Sequence, residues 1–279
     1  MNARGFLKTS TNLLDLFGYQ FFQHALIGGI IAAVACGLVG LFLILKKEAM
    51  VGDGLSHTAF GGIALGLLLG VNPLLTALGV SVLAVFAISY MRQKKIATSD
   101  SAIAVMLALG FSTGLIVISI AGGFNVELFS YLFGSILTID LMDLALVSLL
   151  GLSVLLFIGF FRRELLSMVF DEEDSRIMGI PTRALTVVFD LLVAVTIVLS
   201  IKVIGTILVV ALLVLPGLCA LKLNFSFRKT LLAAVSFSII STTAGIMLSA
   251  MFDKMVPAGV IVFVLVLFFL LTLLYKKMS

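Results

Sequence analysis

The chain has 279 residues, 62% of them hydrophobic and 11% charged, whereas a water-soluble domain is nearer ~45–50% apolar and about 25% charged. The apolar excess has to face lipid, which excludes a soluble enzyme or a soluble binding module. A net charge of +4 carried at the ends of apolar runs calls for no nucleic-acid partner, and two cysteines inside apolar runs, Cys36 and Cys219, are packing residues and no disulfide framework.

Residues 1–16 are mildly polar and read as an interfacial N-terminal segment; residues 17–279 read as a single transmembrane domain. Roughly twenty apolar residues make one crossing, which leaves room for about eight or nine. The first apolar run, 17–45, is closed by Lys46, Lys47 and Glu48 and is too long for the core of a cleavable signal. The second, 49–70, holds Asp53 and His57 and ends at Asn72-Pro73, because proline restricts the residue before it and breaks helix continuity. The third, 74–91, is closed by Arg92, Lys94 and Lys95, and the fourth, 101–121, starts where Ser99 and Asp100 can cap it. Residues 122–140, with Gly122, Gly123, Glu127 and the aromatic cluster Phe129, Tyr131 and Phe133, predict a short interfacial or partly inserted helix. A span at 141–161 precedes a long polar stretch, 162–183, and spans at 185–201, 203–221, 231–251 and 260–274 complete the chain. The expected fold is all-α, a polytopic transmembrane helical bundle.

Lysine and arginine orient it. Lys46/Lys47, Arg92/Lys94/Lys95, Arg162/Arg163, Lys222/Arg228/Lys229 and Lys276/Lys277 belong on the cytoplasmic side. The turns at Asn72, 122–127, Lys202 and Asp253 then fall outside, and the C-terminus lies in the cytoplasm.

The most informative local feature is the run Gly52-Asp53-Gly54-Leu55-Ser56-His57-Thr58. An acid and a histidine four apart share one helical face, with Cβ atoms about 5–6 Å apart. Both are costly inside a membrane unless they face a wet or protein-lined cavity. Carboxylate oxygen and imidazole nitrogen suit zinc, manganese or ferrous iron. Two ligands are fewer than the four or so of a closed zinc cage, and suit a site that must also release its ion. Water, or the same pair from a second copy, can complete it. The alternative is an Asp–His hydrogen bond that merely pins two helices. Gly52, Gly54, Gly61 and Gly62 serve close helix packing in either case.

Three further residues are candidates. His24, beside Gln23 near the outer end of the first run, is a possible ligand or a solvated interfacial histidine. Asp190, inside an apolar run, needs a polar crevice or a cation such as Lys202 or one from a neighbouring helix. Glu127 is a rim acid that attracts cations by its field, or a solvated loop carboxylate. The amphipathic stretch Asp171, Glu172, Glu173, Asp174, Ser175, Arg176, stopped by Gly179 and Pro181, predicts a short helix with acids at its N-terminus. It is either a solvated loop or a docking element for a cytoplasmic engine. No G-x-x-x-x-G-K-[ST] occurs, so this chain binds no ATP by a P-loop; no H-E-x-x-H occurs, and Gly54-Leu55-Ser56 lacks the second glycine of a nucleophile elbow, both of which disfavour an intramembrane enzyme.

The run from Leu41 to Gly62, with Lys46-Lys47-Glu48 followed by Gly52-Asp53 and His57, resembles the metal-ion branch of ABC importer permeases, the zinc and manganese uptake permeases of bacteria. Ser99-Asp100-Ser101-Ala102-Ile103, Tyr131-Leu132-Phe133-Gly134-Ser135-Ile136-Leu137 and Val203-Ile204-Gly205 through Leu215-Pro216 are similar to further segments of that family, with Ser135 standing where the family usually has an acid and Asp190 having no expected counterpart. The resemblance implies a type II ABC importer permease that does no bond chemistry and holds no permanent cofactor. It implies a homodimer in membrane lipid, bound to two cytoplasmic ATPases and fed by an extracytoplasmic metal-binding protein. Asp53 and His57 would be the metal-passage pair, zinc first among the cargoes, and 171–181 resembles the coupling helix of the related cobalamin and siderophore permeases. The reading from another class is an ion-coupled secondary metal transporter with Asp53 and Asp190 as coupling acids.

Overall fold

A computed structural model describes residues 17–123, 126–134, 141–251 and 255–278. The expected N-terminal segment 1–16, Ser135 and the Asp253 turn lie outside the described residues. Within them the chain is helical, in the order α1 (Gln20–Leu45), α2 (Ala49–Leu69), α3 (Pro73–Gln93), α4 (Ser99–Ile120), α5 (Val126–Phe133), α6 (Leu141–Phe170), α7 (Glu172–Ile177), α8 (Thr182–Ile204), α9 (Thr206–Lys222), α10 (Phe227–Met251) and α11 (Pro257–Met278). Seven of these are long and apolar enough to cross a membrane: α1, α3, α4, α6, α8, α10 and α11. The other two long helices are interior pieces. Asp53, Ser56, His57 and its glycines make α2 too polar to sit in lipid alone, and α9 is 17 residues long with Pro216 inside it. Against the eight or nine crossings expected, seven helices among the described residues have the length and apolarity of a crossing.

Burial is inverted relative to a soluble protein. Outer helices turn Leu83, Leu149, Phe160 and Leu271 outward, while the interior is threaded by small residues. Lipid tails are as apolar as leucine, so helices associate here by close packing and not by escape from water. The second half of α1 is almost wholly buried, and α6, α8, α9 and α10 pack around it. At Gly40 a Cβ would run into the Leu213 backbone of α9, and at Gly37 it would stand 2.8 Å from Ser238 Oγ of α10. The helix α2 is clasped by α3 and α4 in the same way.

Two junctions depart from expectation. The span expected to close at Phe161 continues as helix through Arg162 and Arg163 to Phe170. Thirty residues are about 45 Å long, against a hydrocarbon core of about 30 Å, so α6 carries its basic residues beyond the lipid without breaking. The break expected at Lys202 falls at Gly205, whose φ of +88° ends α8 and opens α9. Residues Leu132 to Gly134, at the end of α5, press on it so closely that a side chain would collide with the Leu132 carbonyl.

Candidate metal-passage site

The site is built from the way α2 is held. Gly54 lies against Ile103, Gly61 against Gly110 and Gly62 against Ala77, where any Cβ would meet its neighbour at about 2.5–2.6 Å. These contacts bury almost every residue from Val51 to Ala64. One stripe stays open: Met50, 54% exposed, then Asp53 and His57 with side chains 35% and 36% exposed. Ser56 donates to the Asp53 carbonyl at 2.9 Å and Thr58 to the Gly54 carbonyl at 2.7 Å, so the other polar side chains of this segment are satisfied within the helix.

His57 Nε2 lies 3.6 Å from Asp53 Oδ1, beyond hydrogen-bond length. Both side chains rise from one helix, so the contact between them joins no second helix. The imidazole meets Phe111 of α4 edge-on, with centroids 5.2 Å apart, and Phe111 in turn leans on Phe60. The aromatic wall holds the ring on one side and leaves the carboxylate and imidazole beside each other on the open side. Among the described residues no three His, Cys, Asp or Glu side chains gather into a metal-binding group. Asp53 and His57 therefore remain a pair within one chain.

The other candidates fall elsewhere. His24 sits in the first turn of α1; by helix rise it is roughly 25 Å along the bundle from Asp53. Glu127 lies in α5, its side chain outside the described residues. Asp190 meets a cation from a neighbouring helix, one of the partners expected for it. Its carboxylate, 3% exposed, meets Arg92 at the end of α3 at 3.4 Å, and the same guanidinium nitrogen lies 3.5 Å from Glu48, which holds Lys46 at 2.8 Å. Lys46 and Arg92, read from the sequence as topology markers, and Glu48, read as closing the first apolar run, are thus largely buried. Asp190 is nine residues into α8, near the end that Lys46 and Arg92 share, whereas Lys202 is twelve residues further on, about 18 Å.

The stretch 171–181 is a helix where expected. The Asp171 carboxylate accepts from the Glu173 and Asp174 backbone at 2.8 and 3.0 Å, Ser175 is buried and bonded to Ser167, and Gly179 turns the chain at φ +84°. Around this acidic turn Phe170 and Ile177 stand 85% and 83% exposed, with Met178 between Ile177 and the glycine.

A bundle of apolar helices around a largely enclosed helix that opens on one stripe, with an acid and an imidazole in it, defines a polytopic membrane protein. The chain belongs to the ABC 3 transport family, which it matches over residues 18–276. It is 32% identical over 254 residues to the manganese transport system membrane protein MntC of Halalkalibacterium halodurans, covering 91% of this chain and 87% of that one. It is 31% identical over 265 residues to the "Probable iron transport system membrane protein" of Haemophilus influenzae, covering 95% and 97%. Among solved structures it is similar to PsaBC from Streptococcus pneumoniae in complex with Fab, with a TM-score of 0.83 at 30% identity over 93% of this chain and 94% of that one. The all-α, ABC importer permease architecture and the multi-pass membrane location follow.

Proposed function

We propose that this chain is the membrane-spanning subunit of an ABC importer for divalent transition metal, with Mn2+ as its cargo and Fe2+ as the second choice. Affinity order alone favours zinc at an Asp–His site. The relatives quoted above are named for manganese and iron, and none of them for zinc, so the cargo preference moves accordingly. The observation that carries the reading is the half-open Asp53–His57 pair on a helix that is otherwise enclosed. Ionisable groups on the outside of a membrane bundle are not stable against acyl chains. A second copy of the chain, setting its own pair opposite, would cover them and bring the ligands to about the four of a metal site. The pair replaces part of the ion's hydration shell and releases it again because no single chain supplies a closed cage.

ATP hydrolysis belongs to two cytoplasmic partner subunits, since no P-loop occurs here, and an extracytoplasmic metal-binding protein delivers the ion. The exposed apolar tips of Phe170 and Ile177 beside the acids Glu172, Glu173 and Asp174 suit α7 as the contact for the ATPases, which puts the C-terminus in the cytoplasm. The ion-coupled alternative loses support because Asp190 is tied to Arg92 and is no free proton carrier. In proteoliposomes holding the complete three-part transporter, Asp53→Ala and His57→Ala are expected to abolish ATP-driven Mn2+ uptake while the ATPase still co-purifies. Normal uptake by both variants rejects the site; Zn2+ uptake in preference to Mn2+ rejects the cargo.

A further inference from the structure

Four largely buried charges form a chain of contacts that the metal pair does not use. Lys46 reaches Glu48, Glu48 reaches Arg92, and Arg92 reaches Asp190. Lys46 Nζ also lies 5.1 Å above the ring of Phe189, the neighbour of Asp190. The cluster is neutral, two acids and two bases. Its members come from the α1–α2 turn, the end of α3 and the third turn of α8. The ion pairs Asp53–His57 and Glu172–Arg176, by contrast, each lie within a single helix.

The geometry at Arg92 is that of a divided group. One nitrogen, Nη1, serves both carboxylates at 3.4 and 3.5 Å, longer than the 2.7–2.9 Å or so of a charge-assisted hydrogen bond. Nε and Nη2 of Arg92 and Oδ1 of Asp190 are buried with no hydrogen-bond partner. A guanidinium has a rigid fork that fits one carboxylate with two parallel bonds. Here it is bidentate to neither, and a full fork on either Asp190 or Glu48 would satisfy more of its donors. Two discrete packings of one element are what a switch needs.

The position of the two acids gives the switch something to join. Asp190 belongs to α8, which starts at Thr182, directly after the Gly179 turn that follows α7. Glu48 is the residue before α2 and five before Asp53. We propose that Arg92 is a positioning residue that couples α8 to the metal-bearing helix, exchanging its fork between Asp190 and Glu48 as the transporter changes the side to which it opens. The proposal rests on the importer reading above. A force applied at α7 moves α8, Asp190 draws or frees Arg92, and Glu48 shifts the first turn of α2 with Asp53 on it.

The test uses the complete transporter in proteoliposomes, measuring Mn2+ taken up and ATP hydrolysed in the same sample. Wild-type transporter that takes up none of Mn2+, Fe2+ and Zn2+ with ATP sinks the importer reading itself, whatever Arg92 does. Given wild-type Mn2+ uptake, the double variant Arg92→Gln/Asp190→Asn, which keeps the cluster neutral, is expected to hydrolyse ATP while Mn2+ moved per ATP falls by about tenfold, within the usual range of coupling between sites. Arg92→Lys keeps the charge and loses the fork, and is expected to show a smaller loss of the same ratio. A ratio equal to wild type in the double variant overturns the coupling role and leaves Arg92 as a charge-balancing residue. Should the double variant fail to assemble, Arg92→Lys decides: an unchanged ratio overturns the proposal, a reduced one with ATP hydrolysis retained supports it.

Discussion

At the residue scale, the pair Asp53 and His57 was legible because spacing alone sets two side chains on one helical face. Which groups meet across helices was not legible, since periodicity fixes the phase of each helix and says nothing about its neighbours. That is why the choice for Asp190 between Lys202 and a cation from a neighbouring helix stayed open until the structure placed Arg92 beside it, and why Phe111, which holds the His57 ring, carried no signal at all. The glycines show the same division. All of them look alike in the sequence, yet a Cβ at Gly61 would stand 2.5 Å from the Gly110 carbonyl while one at Gly159 would meet nothing within 4 Å. Gly61→Ala is therefore expected to force α2 off α4 and destabilise the permease by about 1–3 kcal/mol, the usual cost of overpacking. Gly159→Ala, in the interior of α6, is expected to be neutral or stabilising, because it removes chain freedom and displaces nothing. Thermal unfolding of the two purified variants in one detergent checks both: equal midpoints would contradict the tight α2–α4 contact.

At the element scale, helix bounds followed the chemistry of their ends. Asn72 caps α3 with Pro73 in its first turn, Thr98 caps α4, and Asp171 caps α7, all at or next to positions the sequence marks. The polar run after Phe161 misled because charged residues were taken as the end of a helix, whereas they end only its lipid-facing part. The bounds of α7 carry a prediction. It has six residues and lacks the length to persist alone, so its two side-chain caps from Asp171 are a large share of what holds it. Asp171→Ala is expected to cost about 1 kcal/mol and to weaken retention of the ATPase during purification. Gly159→Ala, on α6 and away from α7, adds a methyl group that meets nothing within 4 Å, and is expected to retain the ATPase as wild type does. Equal retention by the two variants would show that the partner grips another surface.

At the scale of the whole molecule, the open stripe on α2 sets a requirement that one chain cannot meet. Met50, Asp53 and His57 form the open stripe of α2, beside Phe111, while α11 packs against α9 and α10. If a second copy covers that stripe about a two-fold axis, each residue on it approaches its own counterpart, as any self-complementary interface demands. Met50 is the most exposed of them and lies one turn from Asp53. Met50→Cys is then expected to form a disulfide between two copies on mild oxidation in the membrane, reported as a dimer band that reductant removes. A disulfide needs Cα atoms within about 7 Å, so the result is local and not a matter of chance collision. Leu271→Cys on α11, equally apolar and exposed, serves as the lipid-facing comparison and is expected to stay monomeric. The two native cysteines are buried and do not compete. Mn2+ bound between two Asp53–His57 pairs would hold the copies in register and change the yield of the Met50→Cys band. Crosslinking at Leu271 and not at Met50 would place the dimer axis elsewhere, and with it the route taken by the ion.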